Sequence, residues 1–221
     1  YMSLGWLATE GTAPNSDWQR ITAKVRAETK FTDKLTVGTS ASYSNTGGSR
    51  LQRGSNISGL ALGLFRNSPT FDAGNGKSGQ DAADDPSTYQ LPDGSPRSYR
   101  GGIYDSPYWT VSKNIFDDNV NRIIGNVNAA YQFTPWLKLS GRIGMDHYTD
   151  RTVGFADLQT ASFPTGSIWN VNINSTDLNS DVLLTVTKDL SEKFRINAVL
   201  GHNHYRYDYY TDITTGTDLS I

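Results

Sequence analysis

Three pairs of alternating segments, each joined by a short turn, constrain the fold of this chain more than any other feature. From position 17 to 31 the odd positions are mainly apolar and the even positions mainly ionic. After the turn Thr32–Lys34, the odd positions from 35 to 43 are again mainly apolar, and the even ones are small and mostly polar. Successive side chains of a strand point to opposite faces, so a period of two predicts β-strands.

The other two pairs repeat this arrangement further along the chain. Positions 122–133 and 137–146 flank the turn Thr134–Trp136, and positions 182–186 and 194–201 flank a predicted turn Lys188–Lys193. An alternating stretch at positions 2–8 adds an opening strand, which makes seven. An odd set of antiparallel strands with free edges at both ends should not be a finished bacterial barrel, so we expect this chain to be part of something larger.

Short turns on one side of the sheet and long polar connections on the other are typical of outer-membrane β-barrels. Each segment has about the nine to eleven residues that a tilted strand needs to cross a bilayer. Aromatic residues lie near the strand ends, where an interfacial girdle is expected. The predicted fold class is therefore all-β, an antiparallel transmembrane β-barrel segment of about seven strands. A soluble β-sandwich also alternates, and it is the alternative fold.

The alternation also assigns residues to the two faces of the predicted wall. The residues predicted to line the lumen or contact a plug are Lys24, Arg26, Lys138 and Arg142. The lipid-facing residues are predicted to be Val25, Ala27, Val37, Ala41, Val127, Ala129, Ile143 and Leu184.

Composition excludes several functional classes. The net charge of -2 gives no electrostatic basis for binding nucleic acid. The mean hydropathy of -0.51 still permits a barrel, because half of each barrel strand faces water. There are no cysteines, so disulfides and thiolate-metal sites are excluded.

The sequence gives little evidence for a metal site or a catalytic site. His202 and His204 lie on one strand face, where an interfacial pair is a better interpretation than half a metal site. The cluster Asp81, Asp84 and Asp85 lacks the ligand spacing of a calcium loop. His147, near Asp146 and Asp150, is the one candidate catalytic group, and cross-strand position explains it. We predict no enzyme activity, no metal and no cofactor.

A long connection at 45–121 is predicted to be a folded loop outside the membrane. Its segment 56–67 has apolar residues at helical spacing, and Ser68–Pro69 ends it, so a short helix is expected there. Aromatic rings beside polar groups suit glycans and peptides, and the same rings can pack the loop onto the barrel. The candidate ligand or lid contacts are Tyr89, Tyr99, Arg100, Tyr104, Asp105, Tyr108 and Trp109.

Asp105–Lys113 and four other segments of this sequence resemble the SusC/RagA-like TonB-dependent transporters of the Bacteroidetes outer membrane. The most specific is Asp105–Lys113, with Pro107, Tyr108 and Trp109 at its centre; Ser106 stands where the family more often has Asn. The other matching segments, in the same order along the chain, are Asn56–Asp72, Asn121–Asn126, Leu190–Phe194 and Leu200–Asn203.

The resemblance implies a twenty-two-stranded barrel with a plug that imports a glycan or peptide. It implies a SusD-like surface lipoprotein as a lid, a TonB complex acting through an N-terminal part outside these 221 residues, and outer-membrane lipid around the wall. Residues 1–221 are then part of one barrel domain, and the plug is not in this sequence. The alternatives are a passive porin or surface-binding barrel, and a soluble secreted β-sandwich that binds carbohydrate.

Overall fold

The computed structural model describes residues 1–52 and 57–220, and their strands form one antiparallel sheet of seven strands. Neighbours in the chain are neighbours in the sheet, so the order is β1 to β7 without a crossover. The predicted all-β antiparallel fold is confirmed, and the sheet is open, with β1 and β7 at its edges. The strands are β1 Met2–Glu10, β2 Asp17–Lys30, β3 Leu35–Ser49, β4 Asn114–Thr134, β5 Leu137–Ala156, β6 Ser167–Ser191 and β7 Phe194–Thr217.

Helices occur only in the connection between β3 and β4, as far as the structure describes the chain. They are α1 Leu60–Arg66, α2 Gly79–Ala83 and α3 Pro107–Lys113, with a 3-10 turn at Pro86–Thr88. The helix expected at 56–67 corresponds to α1, and position 56 lies outside the described residues. No helix in the described ranges is both long enough and apolar enough to cross a membrane.

The strands extend further toward the long connections than the sequence predicted. β3 continues to Ser49 and β4 begins at Asn114, so the connection between them is 50–113 and not 45–121. Most of the extra residues are polar, and they pair across the ladder. For example, the Asn45 amide donates to Asn119 Oδ1 at 3.2 Å, and Ser49 Oγ donates to Asp117 Oδ1 at 2.6 Å. These cross-strand contacts let a hydrophilic segment keep a regular sheet.

The predicted turn Lys188–Lys193 is wrong in extent, because β6 continues to Ser191 and leaves a turn of two residues. Asp189 lies opposite Arg195 in the ladder, and its Oδ1 accepts a hydrogen bond from Arg195 Nε at 2.5 Å. Opposite charges on neighbouring strands stabilise a pair, so a charged stretch that resembles a turn in sequence continues as strand.

One face of the sheet carries a continuous apolar band. Thr39, Val127 and Ile143 lie side by side in one row, and Leu139, Leu184 and Leu200 lie in another. Many of these side chains are exposed; Val127 is 54% exposed and Ile143 is 63% exposed. The described residues place no second layer over this band.

The apolar band runs diagonally across the register. The row through Leu4, Ala23 and Ile123 is apolar in β1, β2 and β4, but it ends at Asp208 in β7. In β7 the apolar residues lie closer to the short turns, at positions 194–200. A shift of the apolar band from strand to strand is expected when strands tilt relative to a bilayer. The apolar layer of the bilayer then meets each successive strand at a different residue.

The opposite face of the sheet is polar and charged. The Arg142 guanidinium pairs with Asp181 at 2.7 Å, and Asn203 donates to the same carboxylate at 2.6 Å. Arg122 pairs with Asp146 on this face as well. Lys24, Arg26, Lys138 and Arg142, which the alternation assigned to one face, share this side by register.

Candidate functional site

The connections at the long-loop end fold together into one layer, here called the loop cap, which comprises 11–16, 50–52, 57–113 and 157–166. Its centre contains most of the buried side chains among the described residues, whereas the sheet itself is largely exposed. Those buried in the cap include Ser58, Ala82, Ala83, Thr88, Tyr89, Asp105, Ser106, Pro107, Trp109, Thr110, Val111 and Thr160. The cap has its own small core above the sheet.

Trp109 is the centre of the loop cap and is 1% exposed. It lies on α3, which begins at Pro107, a favourable residue for the first turn of a helix. The indole Nε1 donates to Thr160 Oγ1 at 3.0 Å, and Thr160 Oγ1 donates to Asn114 Oδ1 at 3.0 Å. Tyr89 packs edge-on against the indole at 6.3 Å between ring centroids. A buried indole N–H requires a partner, so Trp109 joins the two long connections and the start of β4.

Asp105 forms a second link between the same connections. Its Oδ1 accepts a hydrogen bond from the Ala161 backbone N–H at 2.9 Å, and its own N–H donates to the Ile57 carbonyl at 2.9 Å. Burial raises the pKa of the Asp105 carboxyl, and hydrogen bonds from Ser58 and Ala161 oppose this shift. Ser58 reinforces the junction, because its Oγ accepts the Ser162 N–H at 2.9 Å.

Asn15 attaches the β1–β2 connection to the cap. Its amide donates to the Val111 carbonyl at 3.0 Å, and its Oδ1 accepts from Gln80 at 2.9 Å. Asn15 has a positive φ of 56°, a left-handed conformation that Asn tolerates better than most residues. A polar cleft of about 520 Å³ lies beside it, lined by residues 10–17, Ser49, Gly79 and Gln80.

A salt bridge organises the outer part of the cap. Lys77 pairs with Asp85 at 2.7 Å, and Asp85 also accepts the Ser87 N–H at the start of the 3-10 turn. These contacts lower the pKa of Asp85 to about 2, with the Lys77 hydrogen bond as the largest cause. Both side chains contact solvent, so the pair fixes local geometry more than it adds stability.

The structure divides the seven predicted contact residues into two groups. Tyr89, Asp105 and Trp109 are buried in the cap, and Tyr108 is half-buried with its hydroxyl accepting the Gly79 N–H at 3.1 Å. Of the remaining three, Tyr99 and Arg100 are exposed at the surface of the cap, and Tyr104 is half-buried beside them. Among the seven residues, Tyr99 and Arg100 are therefore the most accessible to a ligand.

The outward aromatic group is continuous with residues that the sequence reasoning did not single out. The Arg66 guanidinium lies 4.9 Å from the Tyr104 ring centroid, and the Arg97 guanidinium lies 4.7 Å from that of Phe71. The spacing of these residues in the sequence does not indicate the cluster, because its members are far apart in the chain. They come together only through α1 and the Gly101–Gly102 turn. The buried partners Thr160, Asn114 and Ser58 were missed for the same reason.

Two large apolar residues of α1 are left exposed. Phe65 is 87% exposed and Leu64 is 57% exposed, so neither side chain is buried with Trp109 in the centre of the cap. The helix approaches α3 through Gly63, where an added Cβ would lie 3.4 Å from the Asp105 carbonyl oxygen. The side with the glycine packs closely, and the side with Leu64 and Phe65 remains uncovered by the described residues.

The candidate catalytic group does not assemble. His147 lies on the apolar face of β5, and its Nδ1 is 2.8 Å from Thr176 Oγ1. Asp146 and Asp150 belong to the other face, and Asp146 pairs with Arg122. Within the described ranges, no group of three or more His, Cys, Asp or Glu residues could hold a metal ion.

The fold of this chain is similar to part of several solved structures. The chain matches the RagAB peptide transporter with a TM-score of 0.70 and 17% identity, covering 99% of this chain and 24% of that one. It also matches the RagAB peptide importer in the closed-closed state (TM-score 0.63, 17% identity) and in the open-open state (TM-score 0.64, 15% identity), with the same coverage. No protein-family model and no curated protein sequence matches.

The resemblance to SusC/RagA-like transporters is thus confirmed at the level of the fold. The chain spans about a quarter of the length of the transporters it matches.

We expect Trp109→Ala to open the loop cap and leave the sheet assembled. Truncating a buried Trp typically costs about 3–5 kcal/mol, and here it also leaves Thr160 without its donor. Limited proteolysis should show faster cutting within 57–113 and 157–166. The matched control is Trp136→Ala at the opposite end of the sheet, which should leave cap cleavage unchanged. Equal cleavage of the wild type and Trp109→Ala would contradict this role.

Asp105 predicts a pH dependence of cap stability with a definite sign. The pKa of the Asp105 carboxyl in the folded protein lies above the ordinary value of 3.8. The contribution of this carboxyl to cap stability is therefore fully present below pH 3.8 and is lost as the pH rises through the folded-state pKa. Amide hydrogen exchange of 157–166, corrected for intrinsic rates, should show weaker protection over that rise. Asp105→Asn keeps an acceptor for Ala161 and should remove the dependence, whereas Asp93→Asn at an exposed turn should not. A dependence that persists in Asp105→Asn would exclude this carboxyl as its source.

Proposed function

We propose that this chain forms part of the wall and extracellular loops of an outer-membrane importer of nutrient oligomers. The observation that carries the proposal is the diagonal apolar band, exposed on one face of a single sheet whose other face is polar. A β-sandwich would cover such a face with a second sheet. Tilted strands that cross a bilayer require an apolar band on the lipid-facing side, and the position of this band must shift from one strand to the next.

The proposed orientation follows from the two ends of the sheet. The short turns at 31–34, 135–136 and 192–193 would lie on the periplasmic side, and the loop cap would lie outside the cell. Aromatic residues near the short turns, such as Phe31, Phe133 and Phe194, would form the interfacial girdle on that side. His202 and His204 follow Leu200 on the apolar face, at the outer border of the band.

Active import is the mechanism we infer from the resemblance to transporters. The polar face would line a lumen filled by a plug, and a TonB complex would supply the energy to open it. The three solved structures compared above are of a peptide importer, which favours an oligopeptide as substrate, with a glycan as the alternative. The chain would act by transport and not by catalysis.

Uptake by cells that carry the full-length protein tests this proposal. Fluorescent oligopeptides and oligosaccharides should be supplied to cells with and without the protein, and with and without TonB. We expect accumulation of one class only when both are present. Accumulation that persists without TonB would favour the passive porin, and no protein-dependent accumulation of either class would refute import.

Two adjacent alanines on β4 test the wall assignment. Ala129 lies between Val37 and Gly141 on the apolar face, whereas Ala130 lies between Thr36 and Ser140 on the polar face. Ala129→Arg near the bilayer midplane should cost roughly 2–4 kcal/mol of unfolding free energy in lipid, and Ala130→Arg should cost much less. Unfolding in liposomes measures both. Similar costs for the two variants would contradict a lipid-facing band.

The exposed side of α1 is the proposed contact for a SusD-like lid. Burying a large apolar side chain contributes about 1.5–3 kcal/mol, so Leu64 and Phe65 offer substantial binding energy to a partner. The double variant Leu64→Ser with Phe65→Ser should reduce co-purification of the lipoprotein and slow uptake. Leu91→Ser, at another exposed position of the cap, is the control. Retention of the partner at the wild-type level would exclude this contact.

A further inference from the structure

Arginines and aromatic rings alternate along the surface of the loop cap. Starting from Arg97, the guanidinium lies 4.7 Å from the Phe71 ring, and the Phe71 and Tyr99 rings are 6.1 Å apart. Arg100 then contacts Tyr99 at 6.0 Å and Tyr104 at 5.6 Å. Arg66 covers the Tyr104 ring at 4.9 Å, so this ring has two guanidinium neighbours. We call these six residues the arginine ladder.

The backbone of this segment keeps the ladder at the surface. Gly101 and Gly102 have φ angles of 56° and 90°, and an added Cβ at either would meet nothing within 4 Å. The Gly102 N–H donates to Ser98 Oγ at 2.8 Å, which closes the turn. Glycines therefore permit a left-handed reversal at the surface that brings Tyr99, Arg100 and Tyr104 together.

The nearby carboxylates are engaged elsewhere. Asp72 accepts the backbone N–H groups of Gly74 at 2.9 Å and Gly76 at 2.6 Å, so it caps a turn instead of pairing with a guanidinium. Asp105 is buried against Ala161. Aromatic faces stabilise cations without neutralising their charge, so the ladder remains a positive surface.

Arg97 and Arg100 of the ladder have no carboxylate partner among the described residues. Arg97 donates to three backbone carbonyls, those of Asp72, Ala73 and Thr88. Arg100 lies at the surface, and its guanidinium contacts the Tyr99 and Tyr104 rings. In contrast, most arginines on the polar face of β4 to β7 pair with an aspartate. Arg97 and Arg100 therefore keep guanidinium charge that no described aspartate or glutamate pairs with.

We propose that the arginine ladder is a binding site for the carboxylate groups of the imported oligomer, so that acidic oligomers are preferred over neutral ones. This inference rests on the proposed import function and specifies its substrate class. Guanidinium groups bind carboxylates through paired, charge-assisted hydrogen bonds. The intervening rings of Phe71, Tyr99 and Tyr104 supply flat apolar surface for the aliphatic part of a residue or for the C–H face of a sugar. Carboxylate beside apolar surface is the chemistry shared by acidic peptides and oligouronides.

Binding to the purified full-length protein tests this site separately from transport. The probes are a fluorescent hexapeptide that alternates Glu and Leu, its counterpart with Gln in place of Glu, an oligogalacturonate, and the methyl ester of that oligogalacturonate. At least one acidic probe should bind about tenfold more tightly than its neutral counterpart, and the difference should shrink at high salt. The acidic probe that binds identifies the source of the carboxylate. Equal affinity within both pairs would overturn the proposal.

Arg100→Gln is the decisive variant, because Arg100 lies at the surface and its replacement breaks no hydrogen bond within the described residues. We expect it to lower affinity for the acidic probe by about three- to tenfold and to leave the neutral probe unchanged. Arg100→Lys should retain part of the affinity, since the charge remains without the planar fork. Arg151→Gln, an exposed arginine on β5, is the charge-matched control. An equal effect of Arg100→Gln and Arg151→Gln would refute a local site.

Uptake measurements distinguish failure of this inference from failure of the proposed function. Protein-dependent uptake that is unchanged by Arg100→Gln and by the charge of the probe would support import and refute carboxylate binding by the arginine ladder. Binding that depends on Arg100 in cells that never accumulate the probe would refute import and leave the site.

Discussion

The register of one antiparallel ladder is the constraint on which the rest of this structure depends. Because strand side chains alternate with a period of two, a shift of one residue would exchange the apolar band for the charged face. Cross-strand pairs hold the register at both ends: Asp189 with Arg195 beside a short turn, and Asn45 with Asn119 near the loop cap. The sheet has almost no core of its own, so its faces must be stabilised by what surrounds them, which in our proposal is lipid outside and a plug inside.

The loop cap solves a different physical problem from the sheet. A connection as long as 50–113 would lose much conformational entropy on ordering, and it offsets that loss with a buried centre around Trp109. Polar partners are essential there, since the indole, Thr160 and Asn114 satisfy one another in a place that water does not reach. The cap can therefore hold a surface in fixed geometry. The arginine ladder and the exposed side of α1 both belong to this surface, and the functions we propose for them differ: carboxylate binding for the ladder and apolar docking for α1.

Sequence reasoning succeeded where chemistry repeats at short range. The alternation from 122 to 146 is regular, so the second hairpin and its faces were predictable. It failed at the strand ends, where polar residues such as Ser49 and Asp117 pair across the ladder although their composition resembles a loop. It also did not separate the buried candidate contact residues from the exposed ones. Trp109 and Tyr99 are both aromatic residues of one loop, but Trp109 is buried and Tyr99 is exposed.

The sequence by itself determined the period, the two faces, the number of strands and the contrast between short and long connections, because each follows from residues close together in the chain. Only the tertiary structure decided which loop residues are buried and which are presented outward. Thr160 and Trp109 are 51 positions apart, and Arg66 and Tyr104 are brought together only by folding of the whole connection. Local periodicity specifies backbone geometry, whereas burial and charge pairing depend on partners that are distant in sequence.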